Sequence, residues 1–222
     1  MTEEEWLTPG DLRKHVDFLY ARKRARKLRL FSIACCRQLE PWIDEPKLLE
    51  ALLRAEQFAD KELSEATIAK WRRKVNQLER ERVKGRGETW TPQMAVYHYV
   101  STVCLENQYS GYSDNWRALV YSGRVFGEDF VRRGPQLAHA LLLDVFGNPF
   151  RSVAFAPEWR TDTVLALART MYESRDFSAM PILADALQDA GCDNLDILAH
   201  CRDTALTHVR GCWVVDLVLG KA

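Results

Sequence analysis

Apolar residues return every third or fourth position through most of this chain, the spacing that gathers them on one face of an α-helix. Leu12, Val16, Leu19 and Tyr20 follow the turn-forming Thr8-Pro9-Gly10-Asp11. Leu28, Leu30, Phe31, Ile33, Ala34, Cys35 and Leu39 are apolar nearly all round, so this second helix is expected at the centre of the fold, ending at Pro41. A third helix starts at Pro46 and carries Leu48, Leu49, Leu52, Leu53, Ala55 and Phe58. Ser64 opens a fourth, polar on most faces from Lys70 to Arg86. Thr91-Pro92 is a helix start with proline at the first helical position.

Beyond it, residues 108–115 read as a polar, aromatic loop and Trp116 to Phe126 as a helix. Leu137 to Phe146 is a strongly apolar helix stopped by Gly147-Asn148-Pro149. Residues 147–160 form an irregular stretch whose Phe150, Val153, Phe155 and Trp159 are expected to pin it across helix ends. Helices near 161–174, 179–190, 194–202 and 208–219 close the chain. The pattern therefore predicts an all-α protein: a multi-helix orthogonal bundle of about nine to eleven helices with little or no sheet. One helical domain over 1–222 is expected, with possible subdomains 1–86 and 90–222 on either side of the Lys84-Gly85-Arg86-Gly87-Glu88 break.

Composition narrows the class. An apolar share of 47% with 28% charged residues is that of a globular protein. The 31 basic and 31 acidic side chains cancel, which removes any global pull toward phosphate backbones or anionic membranes. The balance is uneven: residues 1–90 hold 20 Lys and Arg against 16 Asp and Glu, and residues 91–222 hold 11 against 15. The acidic start Thr2-Glu3-Glu4-Glu5-Trp6 lacks the apolar core of a secretory signal, and no apolar run reaches membrane-spanning length. Adjacent Cys35-Cys36, and cysteines lying in apolar helical patterns, suggest reduced thiols and a cytoplasmic location.

The sharpest chemical signal is the C-terminal set Cys192, His200, Cys201, His208 and Cys212. On one helix, His208 and Cys212 share a face, a legitimate pair of zinc ligands that Cys35 and Cys36 could complete. Asp216 extends that stripe by one turn, although a bland reading makes Asp216 and Arg210 surface residues beside a core helix. The second signal is basic: Arg22, Lys23, Arg24, Arg26 and Lys27, with Arg37 beyond, and Lys70, Arg72, Arg73 and Lys74 with Trp71 among them. Helices 22–37 and 70–86 side by side could follow a nucleic-acid backbone, and a solvated face is the competing reading. Of seven Trp and seven Tyr, Trp6, Trp42, Trp90, Trp116 and Trp159 lie at helix ends or loops, where they can anchor a protein partner or seal the bundle. No glycine-rich phosphate loop or nucleophile elbow is present.

Several segments stand together: Thr2-Glu3-Glu4-Glu5-Trp6-Leu7, Arg26-Lys27-Leu28-Arg29-Leu30-Phe31 running into Ala34-Cys35-Cys36-Arg37, Phe146-Gly147-Asn148-Pro149-Phe150-Arg151, Ile182-Leu183-Ala184-Asp185-Ala186-Leu187, and His208-Val209-Arg210-Gly211-Cys212-Trp213. They resemble a large family of paralogous planctomycete proteins over nearly the whole chain. The resemblance implies a single family unit and carries over no activity. It directs attention to Arg37, Asn148, Arg151, His208, Arg210, Trp213 and Asp216, which could converge as a polar cluster or could buttress the bundle, with Asn148 capping a turn and Arg151 pairing with Asp216 or Asp144. The leading expectation is a non-enzymatic protein-interaction or regulatory module. The alternatives are a nucleic-acid-associated protein using the basic helices, or a zinc-binding or Cys/His enzyme centred on His208 and Cys212.

Overall fold

A computed structural model describes residues 1–22, 24–84, 91–101 and 126–221. Among them are eleven α-helices and no strand: α1 Glu3–Leu7, α2 Leu12–Tyr20, α3 Ala25–Arg37, α4 Pro46–Ala59, α5 Glu65–Val83, α6 Pro92–Tyr99, α7 Glu128–Phe146, α8 Asp162–Ser174, α9 Met180–Asp189, α10 Leu195–Arg202 and α11 Trp213–Leu219. Short 3-10 turns lie at Glu40–Trp42 and Pro157–Trp159. No described helix is long and apolar enough to cross a membrane. The break expected at 85–90, the loop at 108–115, the helix at 116–126 and Lys23 lie largely or wholly outside the described residues.

The helix starts follow their capping residues. Ser64 accepts from the Thr67 N–H, Thr91 from Met94 and Thr161 from Val164, each occupying a donor that has no partner inside its helix. The acidic start, where the apolar pattern predicts no helix, forms α1. Thr2 Oγ1 accepts from the Glu5 N–H at 3.1 Å while Glu5 Oε2 accepts from the Thr2 N–H at 2.7 Å, a reciprocal capping box.

The chain divides into two compact units, Met1–His139 and Ala140–Ala222. In the first, α3 packs against α2 and α4, α4 against α5, and α5 against α6. Every residue from Leu28 to Cys36 is buried, as the all-round apolar pattern requires. The polar members are accommodated locally: Ser32 donates to the Leu28 carbonyl at 2.8 Å and the Arg29 guanidinium lies over the Phe58 ring. Buried Glu56 and Asp60 of the α4 end pair with Arg37 and Arg26 of α3.

In the second unit α8, α9, α10 and α11 enclose a core of Val164, Ala168, Met171, Leu183, Leu187, Ile197, Val214, Val215 and Val218. Val153, Phe155 and Trp159 of the irregular segment pack against it, as their placement in a loop suggested. Arg160 donates to the Val218 and Leu217 carbonyls at 3.0 and 2.9 Å, satisfying the C-terminal end of α11. The last helix begins at Trp213 and not near 208, so His208 and Cys212 do not share a helix face. Gly211, at φ +98°, turns the chain there, and the Val209 N–H is drawn to the Asp144 carboxylate at 2.9 Å.

Candidate metal centre

Three stretches of the second unit bring four donor side chains together: Asp144 from the last turn of α7, His200 from α10, and His208 with Cys212 from the loop before α11. Each is placed by its local pattern. Leu141, Leu142 and Val145 bury the face of α7 around Asp144, leaving that carboxylate only 2% exposed. Asn194 caps α10 through the Ile197 N–H, and Ile197, Leu198 and Cys201 seat the helix that carries His200. The Cys212 N–H donates to the Val209 carbonyl at 2.8 Å, which closes the loop and turns its sulfur inward.

The contacts share atoms. His200 Nε2 lies 3.2 Å from Cys212 Sγ and also 3.2 Å from Asp144 Oδ1. The same Oδ1 lies 2.7 Å from His208 Nδ1. All four donor atoms fall within 4.8 Å of one another. A catalytic relay uses opposite edges of its imidazole, one nitrogen toward the nucleophile and the other toward the carboxylate. Here a single nitrogen, with one lone pair or one hydrogen, faces both. Donors crowded on one point are what a cation at that point requires. Tetrahedral zinc, with bonds of about 2.0–2.3 Å, holds its ligands about 3.3–3.5 Å apart, so admitting it needs the 2.7 Å His208–Asp144 contact to open and the wider pairs, within 4.8 Å, to close.

The charges at this point are set by burial and by their neighbours. Burial alone pushes the Asp144 carboxyl up, but the hydrogen bonds and charges of His200 and His208 outweigh it and hold the group below the ordinary carboxylate value. Asp144 Oδ2 is separately oriented by the Val209 N–H. Burial drives the Cys212 thiol well above its usual value, with the Asp144 charge adding to the effect and the Val215 and Val214 amides opposing it. A fully buried thiol of that kind is no nucleophile by itself. A divalent ion beside one thiolate and one carboxylate makes the buried group neutral, which removes the penalty of burying either anion alone.

The donor group contains His208 and Cys212, as the sequence suggested, but its other members are Asp144 and His200. Cys35 and Cys36, expected as the remaining ligands, are instead fully buried in α3 of the first unit, where the apolar helix around them claims them as core. Asp144 gave one available signal: a lone carboxylate on the buried face of an apolar helix needs a partner. His200 was visible within the Cys/His set but had no spacing to single it out.

The seven residues marked by resemblance have the following neighbours. Arg37 belongs to the first unit, paired with Glu56 and Glu40. Asn148 accepts the Phe150 N–H at 3.0 Å and so caps a turn. Arg151 lies 3.6 Å from Asp196. Arg210 packs over the Tyr172 ring at 4.4 Å, and Asp216 is buried at 1% exposure, so neither is a simple surface residue. Trp213 contacts His200, with ring centroids 5.2 Å apart.

Part of the basic set is engaged inside the first unit. Arg26 pairs with Asp60 at 2.9 Å, the Arg22 guanidinium lies over Phe18 at 3.5 Å, and the Lys74 ammonium lies over Trp71 at 4.3 Å. Arg24, Lys70, Arg72 and Arg73 complete that set on α5 and at the start of α3, with Lys27 in the first turn of α3. No family model, curated protein or solved structure matches this chain.

Proposed function

We propose that the second unit is a helical module closed by one structural zinc ion, held by Asp144, His200, His208 and Cys212, within a non-enzymatic protein. The observation that carries this reading is the 3.2 Å approach of His200 Nε2 to both Cys212 Sγ and Asp144 Oδ1. The donor types select the metal: one thiolate and two imidazoles suit zinc better than magnesium or calcium, which take oxygen. Four protein donors fill a tetrahedron and leave no open position for substrate, the mark of a structural ion. Its work is mechanical. It ties the end of α7 to α10 and to the loop before α11, so the metal gives this unit a fixed shape for use as a scaffold.

Elemental analysis of the purified full chain tests this. One zinc per chain is expected, falling to background in a Cys212→Ala, His200→Ala double variant. Protein without bound metal that takes up none from equimolar zinc, and melts at the same temperature with and without it, would overturn the reading.

A further inference from the structure

We infer that Gly147 and Trp213 set the position of His200, so that the size of residue 147 governs metal binding without touching the metal. This rests on the zinc reading above for its consequence and on independent contacts for its geometry. The Trp213 ring lies 5.2 Å from the His200 ring at an interplanar angle of 55°. The same indole lies over Gly147: a Cβ added there would sit 3.0 Å from Trp213 Cγ and Cδ2 and 3.3 Å from Cδ1. That is inside the optimal carbon–carbon separation of about 3.5–4.0 Å, so any side chain at 147 must push the indole.

The indole has little freedom to yield by moving its backbone. Trp213 opens α11, and the next residues, Val214 and Val215, are fully buried in the core, as is Val218 one turn on. Displacement therefore passes to the ring itself and to the imidazole in contact with it. His200 Nε2 is the atom that faces both Cys212 Sγ and Asp144 Oδ1, so a shift of that ring alters two donor contacts at once. Gly147 and Trp213 are positioning residues in this scheme. Both stand outside the four donors.

Gly147 also has a positive φ of +63°, which disfavours any side chain whatever its surroundings. Gly220 supplies the matched control. Its φ is +65°, it too follows a helix of the same unit, and a Cβ there meets nothing within 4 Å. Gly220→Ala thus carries the backbone strain of Gly147→Ala without the ring contact.

The experiment titrates cobalt(II) into the chelator-stripped full chain, wild type and each variant, and records the His200 imidazole proton resonances of the same metal-free proteins. Wild type and Gly220→Ala are expected to share one visible cobalt spectrum and one affinity. Gly147→Ala is expected to bind at least about tenfold more weakly, with altered bands and displaced His200 resonances. Trp213→Ala removes the crowding ring, so adding Gly147→Ala to it should cost no further affinity, a test that holds if the single Gly147 variant folds poorly. Gly147→Ala matching Gly220→Ala in both readouts would overturn the inference. A wild type that binds no cobalt refutes the zinc reading, and the His200 resonances then decide alone whether Gly147 and Trp213 set that ring.

Discussion

Asp144 and His208 stand sixty-four positions apart in the chain, yet Oδ1 of one lies 2.7 Å from Nδ1 of the other, with 1% and 6% of the two side chains exposed. The other oxygen of Asp144 receives the Val209 N–H. One carboxylate thus organises the loop before α11 as well as facing both imidazoles. Replacing Asp144 by Ala should cost about 3–5 kcal/mol, the usual effect of removing one partner from a buried ionic network. Chemical denaturation of the metal-free protein reads this, and a loss within about 0.5 kcal/mol of zero would show that the network is idle.

The same carboxylate makes the metal-free unit acid-sensitive. Its value is lowered from the ordinary 3.8, so the folded state binds this proton less readily than the unfolded chain. The stabilisation is fully present above about pH 3.8 and is lost as pH falls through the lower folded value. Denaturation midpoints between pH 5 and 2 should decline more steeply for wild type than for Asp144→Asn.

A separate acid effect is expected in the first unit. His15 Nε2 and His139 Nε2 both face the Trp6 carbonyl oxygen, at 3.3 and 2.9 Å, with the rings edge to face at 5.2 Å. Burial lowers the His139 value below 6.5; the Trp6 carbonyl opposes this and the His15 charge reinforces it. The unfolded chain therefore takes up the proton first, and stability contributed by neutral His139 is complete above about pH 6.5 and declines below it. Melting temperatures from pH 7.5 to 5 should fall less in His139→Gln than in wild type.

Arg160 ties the irregular segment to the end of α11 by two hydrogen bonds to carbonyls, and its guanidinium lies 4.7 Å from the Phe155 ring centre. Arg160→Ala should destabilise the protein by about 2 kcal/mol, the scale of hydrogen bonds from a charged donor. Thermal melts would expose a value near zero.

Burial lifts the Cys201 thiol to about 12 and Cys212 well above its usual range. Both remain protonated at pH 8, so in the folded metal-free protein they should resist alkylation on a timescale where a denatured sample reacts fully. Peptide mapping after brief iodoacetamide treatment distinguishes the two rates.

Helix existence was legible because apolar spacing and capping residues act locally. Ser64 and Thr91 open helices where expected, Pro46 sits at the first position of α4, and Thr161 caps a helix expected from its apolar spacing. The last helix starts at Trp213 and not near 208, although His208, Cys212 and Asp216 recur at helical spacing. Spacing alone does not reveal that Gly211 takes a positive φ or that the Val209 N–H is claimed by a distant carboxylate. The site was half legible for the same reason. His208 and Cys212 are neighbours in sequence, whereas Asp144 reaches them only through the packing of α7, and its helix reads as plain core.

X-ray absorption at the zinc edge of the zinc-loaded full chain bears most directly on the account. One sulfur at about 2.3 Å and three nitrogen or oxygen ligands at about 2.0 Å are expected. A shell without sulfur, or one with two or more, would contradict the assignment of Asp144, His200, His208 and Cys212 as the metal's ligands.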